Sequence, residues 1–111
     1  MNLKTVNIKK VENLDLKFEE IETKDKKYVE YMVTLVNNSN KEIFLTRVST
    51  SCGCTDATFS KLPVLKEEST NVKFSFNPAG RQGFNQKSVT IFYSDTDDEA
   101  TIKVSFTVNV K

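Results

Sequence analysis

Apolar side chains fall at every second position over several stretches of this chain. Val72, Phe74 and Phe76 alternate with Lys73, Ser75 and Asn77, the period of a strand with one buried and one wet face. Ile102, Val104, Phe106, Val108 and Val110 alternate in the same way with Lys103, Ser105, Thr107 and Asn109. Between these two runs, Val89, Ile91 and Tyr93 mark a third strand, which ends at the polar, hairpin-like Ser94-Asp95-Thr96-Asp97-Asp98. Upstream, Val29, Tyr31, Val33 and Leu35 alternate, but Met32 and Val36 between them are also apolar. Residues 28–36 are therefore expected to form a strand partly buried on both faces. Asn37-Asn38-Ser39-Asn40 has the chemistry of a turn, and 43–48 follows as the next strand.

Residues 11–22 carry two periods at once. Val11, Leu14, Phe18 and Ile21 recur at helical spacing, whereas Leu14, Leu16 and Phe18 alternate as a strand would. Local propensity leans to helix and the all-β surroundings lean to strand; the strand is the expectation adopted. Short strands separated by polar turns, rich in β-branched residues and with eight Phe and three Tyr in the chain, predict an all-β fold. The expected architecture is an immunoglobulin-like β-sandwich of about seven to eight antiparallel strands. With 111 residues, no repeat and no Pro/Gly-rich linker, residues 1–111 are read as a single domain, long enough to bury roughly two-thirds of the surface its unfolded form exposes.

Composition narrows the function classes. Sixteen Lys and Arg face 15 Asp and Glu, spread evenly, so the basic stripe of a nucleic-acid binder and the cationic face of an anionic-membrane binder are both missing. No apolar run is long enough to span a bilayer, and Met1-Asn2-Leu3-Lys4-Thr5 has no signal-peptide core. The expectation is a protein that does not insert directly in a membrane and is either cytoplasmic or freed of its leader. The chain has no His, which removes the commonest general base, and it carries no phosphate loop or nucleophile elbow. No enzyme activity and no cofactor are expected.

Ser51-Cys52-Gly53-Cys54-Thr55 is the most unusual pentapeptide. Gly53 would let the backbone turn between two thiols, and Cys52 and Cys54 as thiolates could hold a soft ion such as Cu(I). A closed zinc site needs four ligands, more than this chain has without pairing two copies. Redox chemistry through a disulfide between near neighbours is the other functional reading; the plain one is two small packing residues at a strand end. Asp95, Asp97 and Glu99 begin like a calcium loop, but Ala100 and Phe106 occupy the positions that need Gly and Glu, so a solvated hairpin is expected. Asn37-Asn38-Ser39 matches a glycosylation sequon that already explains itself as a turn. In the loop Asn77-Pro78-Ala79-Gly80-Arg81-Gln82-Gly83-Phe84, the two glycines permit positive φ, while Arg81 and Phe84 form a candidate contact pair for a partner.

The Ser51–Thr55 element, Leu62-Pro63-Val64, Val72-Lys73-Phe74-Ser75-Phe76-Asn77-Pro78, Gly83-Phe84 and Val89-Thr90-Ile91 together resemble the bacterial domain of unknown function 1573. The likeness reaches upstream through Phe18–Ile21 and Val33–Val48, covering most of the chain after residue 14. That family is similar to Hydin-type immunoglobulin-like domains, is common in Bacteroidetes and is usually exported, often as a lipoprotein. The resemblance therefore implies a periplasmic or cell-surface location in the cell envelope, with no established activity. The strand alternation, balanced charge and missing catalytic constellations lead to the expectation of a non-catalytic binding or structural module, with a protein partner expected and a glycan as the alternative. Two turns depart from the family pattern. Leu65-Lys66-Glu67-Glu68 follows Pro63-Val64 where a Pro-Gly turn is typical, and Phe18-Glu19 stands for a Phe-Gly pair.

Overall fold

The computed structural model describes residues 1–24 and 27–111. Among them lie nine strands: β1 Asn2–Ile8, β2 Leu14–Lys17, β3 Ile21–Thr23, β4 Val29–Asn37, β5 Phe44–Thr50, β6 Thr55–Thr58, β7 Ser69–Phe76, β8 Gly83–Ser94 and β9 Glu99–Val110. They form two sheets, one ordered β1-β4-β7-β6 and the other β2-β9-β8-β5 with β3 also on β9. The alternation predicted from sequence is the alternation of burial. Tyr31, Val33 and Leu35 of β4 and Val72, Phe74 and Phe76 of β7 line one inner face. Val89, Ile91 and Tyr93 of β8 with Ile102, Val104, Phe106 and Val108 of β9 line the other, and none of these is more than 3% exposed. Rings fill the space between. Tyr31 stacks on Phe74 with centroids 4.9 Å apart, Phe18 meets Tyr31 edge-on at 4.8 Å, and Phe106 lies 4.9 Å from Tyr31.

The sandwich class expected from sequence is present, with two differences of detail. There are nine strands, and those before residue 24 pair in parallel. β1 runs parallel to β4, while β2 and β3 run parallel to β9. Residues 11–22 are accordingly extended rather than helical. Leu14 and Leu16 sit in register with Ile102 and Val104, and the Phe18 N–H donates to the Ser105 carbonyl at 2.9 Å. The edge of β9 offers backbone groups that only an extended segment can pair, and that outweighs the local helical spacing. The strand expected over 43–48 is β5, with Ile43 paired to Val64 outside it and a register shift between Leu45 and Arg47.

Polar side chains tie down three connections, β1–β2, β4–β5 and β6–β7, at the end of the sandwich that holds the β8–β9 hairpin tip. Asn37 is fully buried. Its Nδ2 donates to the carbonyls of Lys41 at 2.7 Å and Val64 at 2.8 Å, while its Oδ1 accepts from the Ser39 N–H at 3.0 Å and hydroxyl at 2.6 Å. The turn expected here is present, and the same bonds place the Asn37 amide where a glycan could not be attached to the folded chain. Tyr93 clamps the β1–β2 connection. Its hydroxyl donates to the Glu12 carbonyl at 2.5 Å and accepts the Glu12 N–H at 3.0 Å. Tyr31 makes no such bond: its hydroxyl is buried without a hydrogen-bond partner among the described residues, and burial pushes its pKa up to about 12.

The departure from the family pattern at Leu65–Glu68 has a structural counterpart. The Glu68 N–H donates to the Leu65 carbonyl at 2.9 Å, closing a tight turn in which Glu67 takes φ of 71°. A left-handed residue with a Cβ costs about 1–2 kcal/mol, and Gly escapes that cost while adding up to about 1 kcal/mol of unfolded-state entropy. Glu67→Gly is therefore expected to stabilise the fold by up to about 1 kcal/mol, read as a higher urea midpoint with unchanged slope. Tyr93→Phe removes both hydrogen bonds to Glu12 and should cost about 1–2 kcal/mol in the same titration; a change within error would show that the clamp contributes nothing.

Candidate interaction surface

The Ser-Cys-Gly-Cys-Thr element is the crossover from one sheet to the other. β5 follows β8 in antiparallel register as far as Thr50 opposite Val89. One residue later the Ser51 N–H donates to the Ser88 carbonyl at 3.0 Å, and the Ser51 hydroxyl accepts the Ser88 N–H at 2.9 Å. There the chain leaves the sheet, and by Thr55 it is paired with Phe76 in the other one. Cys52 and Cys54 are joined in a disulfide across the crossover, with Cα atoms 5.3 Å apart. Local bonds fix the loop. Thr50 Oγ1 donates to the Cys52 carbonyl at 3.1 Å, the Cys54 N–H points at Cys52 Sγ at 3.3 Å, and the Asn77 N–H reaches the Cys54 carbonyl at 2.8 Å.

Each sequence-based reading of this element meets that geometry. Cys54 is 8% exposed and belongs to the core cluster, so it does pack, but as half of a disulfide. Both sulfurs are bonded to each other, and neither is a thiolate able to take Cu(I) until two electrons reduce the pair. Gly53 has neither a positive φ nor a neighbour within 4 Å of an added Cβ, so the turn it was expected to permit does not depend on glycine. Thr55 is buried, its hydroxyl 3.9 Å from Cys54 Sγ.

The loop before β8 behaves differently. Gly80 and Gly83 have φ of 70° and 91°, the left-handed values their identity permits. Asn85 Nδ2 ties the loop down by donating to the carbonyls of Arg81 at 2.7 Å and Gly83 at 3.1 Å. Phe84, which a loop phenylalanine would more often tuck under its own sandwich, stands 70% exposed on the outer face of β8. Arg81 and Phe84 do not stack; the guanidinium–ring contact of this sheet is Arg47 over Phe92 at 4.2 Å.

Sequence reading missed the backbone beside them. Since the N–H and C=O of Ser88 both point toward β5, strand alternation turns those of Gln86 and Phe84 the same way. β5 has already crossed over at this point, and among the described residues Gly83–Lys87 pair with β9 alone. The only sequence signal was the unusual pentapeptide that ends β5 early. At the far end of the hairpin, the Asp95 carboxylate accepts the N–H groups of Asp97 and Asp98, each at 2.8 Å, which hold its pKa below the usual carboxylate range. The solvated hairpin reading is the one this geometry fits.

Comparison with proteins of known structure places the architecture first. The chain is similar to a Vibrio cholerae VesB protease structure (TM-score 0.69, 13% identity, 87% of this chain and 30% of that one). It is similar also to an ASH/PapD-like domain of human CEP192 (0.66, 11% identity, 89% and 82%) and to a family 123 glycoside hydrolase of Clostridium perfringens (0.64, 9% identity, 83% and 22%). At these identities the likeness is one of fold, and this chain spans less than a third of the VesB structure. These neighbours define an immunoglobulin-like, PapD-like β-sandwich. Within that class, the chain belongs to the protein family of unknown function DUF1573, whose pattern matches residues 9–110. No curated protein sequence matches it.

The disulfide is directly measurable. Thiol labelling of the native protein is expected to find none of its two cysteines, and reduction should release both. The doubly substituted Cys52→Ala/Cys54→Ala chain should lose about 1–2 kcal/mol, as expected for a very short closed loop. Two labelled thiols in air-oxidised protein would contradict the bond.

Proposed function

We propose that this chain is a non-catalytic, immunoglobulin-like binding module of the bacterial cell envelope, working in the periplasm or at the cell surface, with a protein as its partner and a glycan as the alternative. The observation that carries the reading is the stretch Gly83–Ser88. There an exposed Phe84 stands beside backbone donors and acceptors of Phe84 and Gln86 that no other strand among the described residues takes up. Ladder groups left free and an aromatic left in water are costs to a domain alone and assets to one that docks. The Cys52–Cys54 disulfide supports the location, since such bonds form and persist in oxidising compartments and are rare in the cytosol. The family likeness supports it too.

Two measurements test the reading. Fractionation of cells producing the protein from its complete reading frame should recover it with the envelope or periplasm; recovery in the cytoplasm alone would overturn the location. A panel of hydrolase and transferase assays should give no turnover, and an activity abolished by one point substitution would overturn the non-catalytic assignment.

A further inference from the structure

Building on that reading, we infer that the open edge of β8 is a strand-addition site, and that its occupant is an extended, acidic peptide segment of a partner protein lying where β5 would have continued. The geometry carries the first half. β5 accompanies β8 only to Thr50, the Ser51 hydroxyl seals the last N–H, that of Ser88, and the disulfide-closed loop then carries the chain into the other sheet. The N–H and C=O groups of Gln86 and Phe84 are next in line and have no partner among the described residues, a template for one more antiparallel strand. The two ends of the template are built differently. One is stopped by the Ser51–Cys54 crossover, and the other opens past Phe84 and Gly83 into the 77–82 loop.

Charge identifies the occupant. β5 and β8 contain Arg47 and Lys87 and no carboxylate, β9 contains Lys103 with Glu99 only at its first residue, and Arg81 stands just before β8. On the outer face, Lys17, Ser51, Gln86, Ser88, Lys103 and Ser105 line a shallow depression of about 410 Å³ alongside the open edge. Two carboxylates share this face: Asp15 is the lateral neighbour of Lys103, and Glu22, paired with Lys111, lies beside Asn109 in the row of Phe84. Yet among the described residues no carboxylate comes within 4.0 Å of Arg81, Lys17, Lys87 or Lys103, because the ion pairs are Lys41–Asp97 and Lys111–Glu22. A guest strand places alternate side chains on this face. Acidic residues at those positions meet the free ammonium groups of Lys17 and Lys103 and the serine hydroxyls, and an apolar one covers Phe84. A basic segment would meet like charge instead.

The test uses the whole protein and a fluorescein-labelled synthetic peptide alternating glutamate and valine. Three comparisons accompany it: the same peptide with lysine for glutamate, the same peptide N-methylated at alternate amides so that one edge loses its donors, and the protein variant Gln86→Pro. Proline removes an N–H that is unpaired in the folded chain and is tolerated on a strand edge. Expected are saturable binding of the parent peptide and shifts of the Phe84, Gln86 and Ser88 amide resonances, with slowed hydrogen exchange at Phe84 and Gln86. Affinity should fall at least about tenfold for each of the three altered pairs, the unfolding temperature of Gln86→Pro staying close to that of the parent. Should that variant not fold, the N-methylated peptide on the unaltered protein decides alone.

The inference is overturned if the N-methylated peptide binds as well as its parent, which would be adsorption to charge. Resonance shifts centred elsewhere would overturn it too, as would a peptide-free dimer that Gln86→Pro dissolves, which would give the edge to a second copy. Glycan binding that Gln86→Pro leaves intact, without peptide binding, would refute this site and leave the binding-module reading standing.

Discussion

Two sheets must share one apolar interior, and here the interior is closed by rings that reach across it. Phe18 comes from the β2–β3 connection, Tyr31 from β4, Phe74 and Phe76 from β7 and Phe106 from β9, with neighbouring centroids between 4.8 and 6.2 Å apart. Each such pair contributes about 0.5–1.5 kcal/mol beyond the area it buries. Tyr31 sits at the centre of this cluster, in contact with three of the other rings. Its unpartnered hydroxyl costs about 1–3 kcal/mol relative to a satisfied one, and the surrounding ring contacts offset that. Every strand that faces this cluster has its register fixed, because a slip of one residue would turn a ring or a valine into water.

What remains variable lies at the edges, and the chain treats its edges unequally. The outer edge of β9 is covered twice, by β2 and β3, with Phe18 bridging them. The outer edge of β8 is covered by β5 only as far as Ser51–Ser88 and pairs with no other described strand beyond it. The difference comes from chain connectivity. A strand that must reach the opposite sheet has to leave its own, and the Cys52–Cys54 disulfide tightens the point of departure. The family's most specific sequence element is thus the feature that leaves this edge open, which gives the element a structural consequence that does not require either sulfur to do chemistry.

Several local readings were legible because the responsible physics is local. Alternation in 72–76, 89–93 and 102–110 reports which side chains face inward, and Asn, Asp and Gly report where the chain reverses, as at Asn37, Asp95, Gly80 and Gly83. Others were not. Residues 11–22 carry a helical spacing that is overridden by pairing with β9, a partner some ninety positions away in the register Leu14 to Ile102. Asn37 looks like a surface sequon and is a buried hub, because its four partners include a carbonyl at Val64 that only the folded chain brings near. Glu67 gives no sign of a left-handed backbone; the signal lay in the family's usual glycine at a turn where this chain has none.

Sequence alone established the class of the fold and the inward rows of its four longest strands, β4, β7, β8 and β9, since period and burial are properties of a single strand. It also placed Arg81 and Phe84 in a loop with two glycines, and two cysteines with one residue between them. Strand order, the parallel pairing of the N-terminal strands, the bond between the two sulfurs and the bare backbone of Phe84 and Gln86 were decided only in three dimensions. Each of these depends on which segments become neighbours, and alternation is the same whichever neighbour a strand acquires.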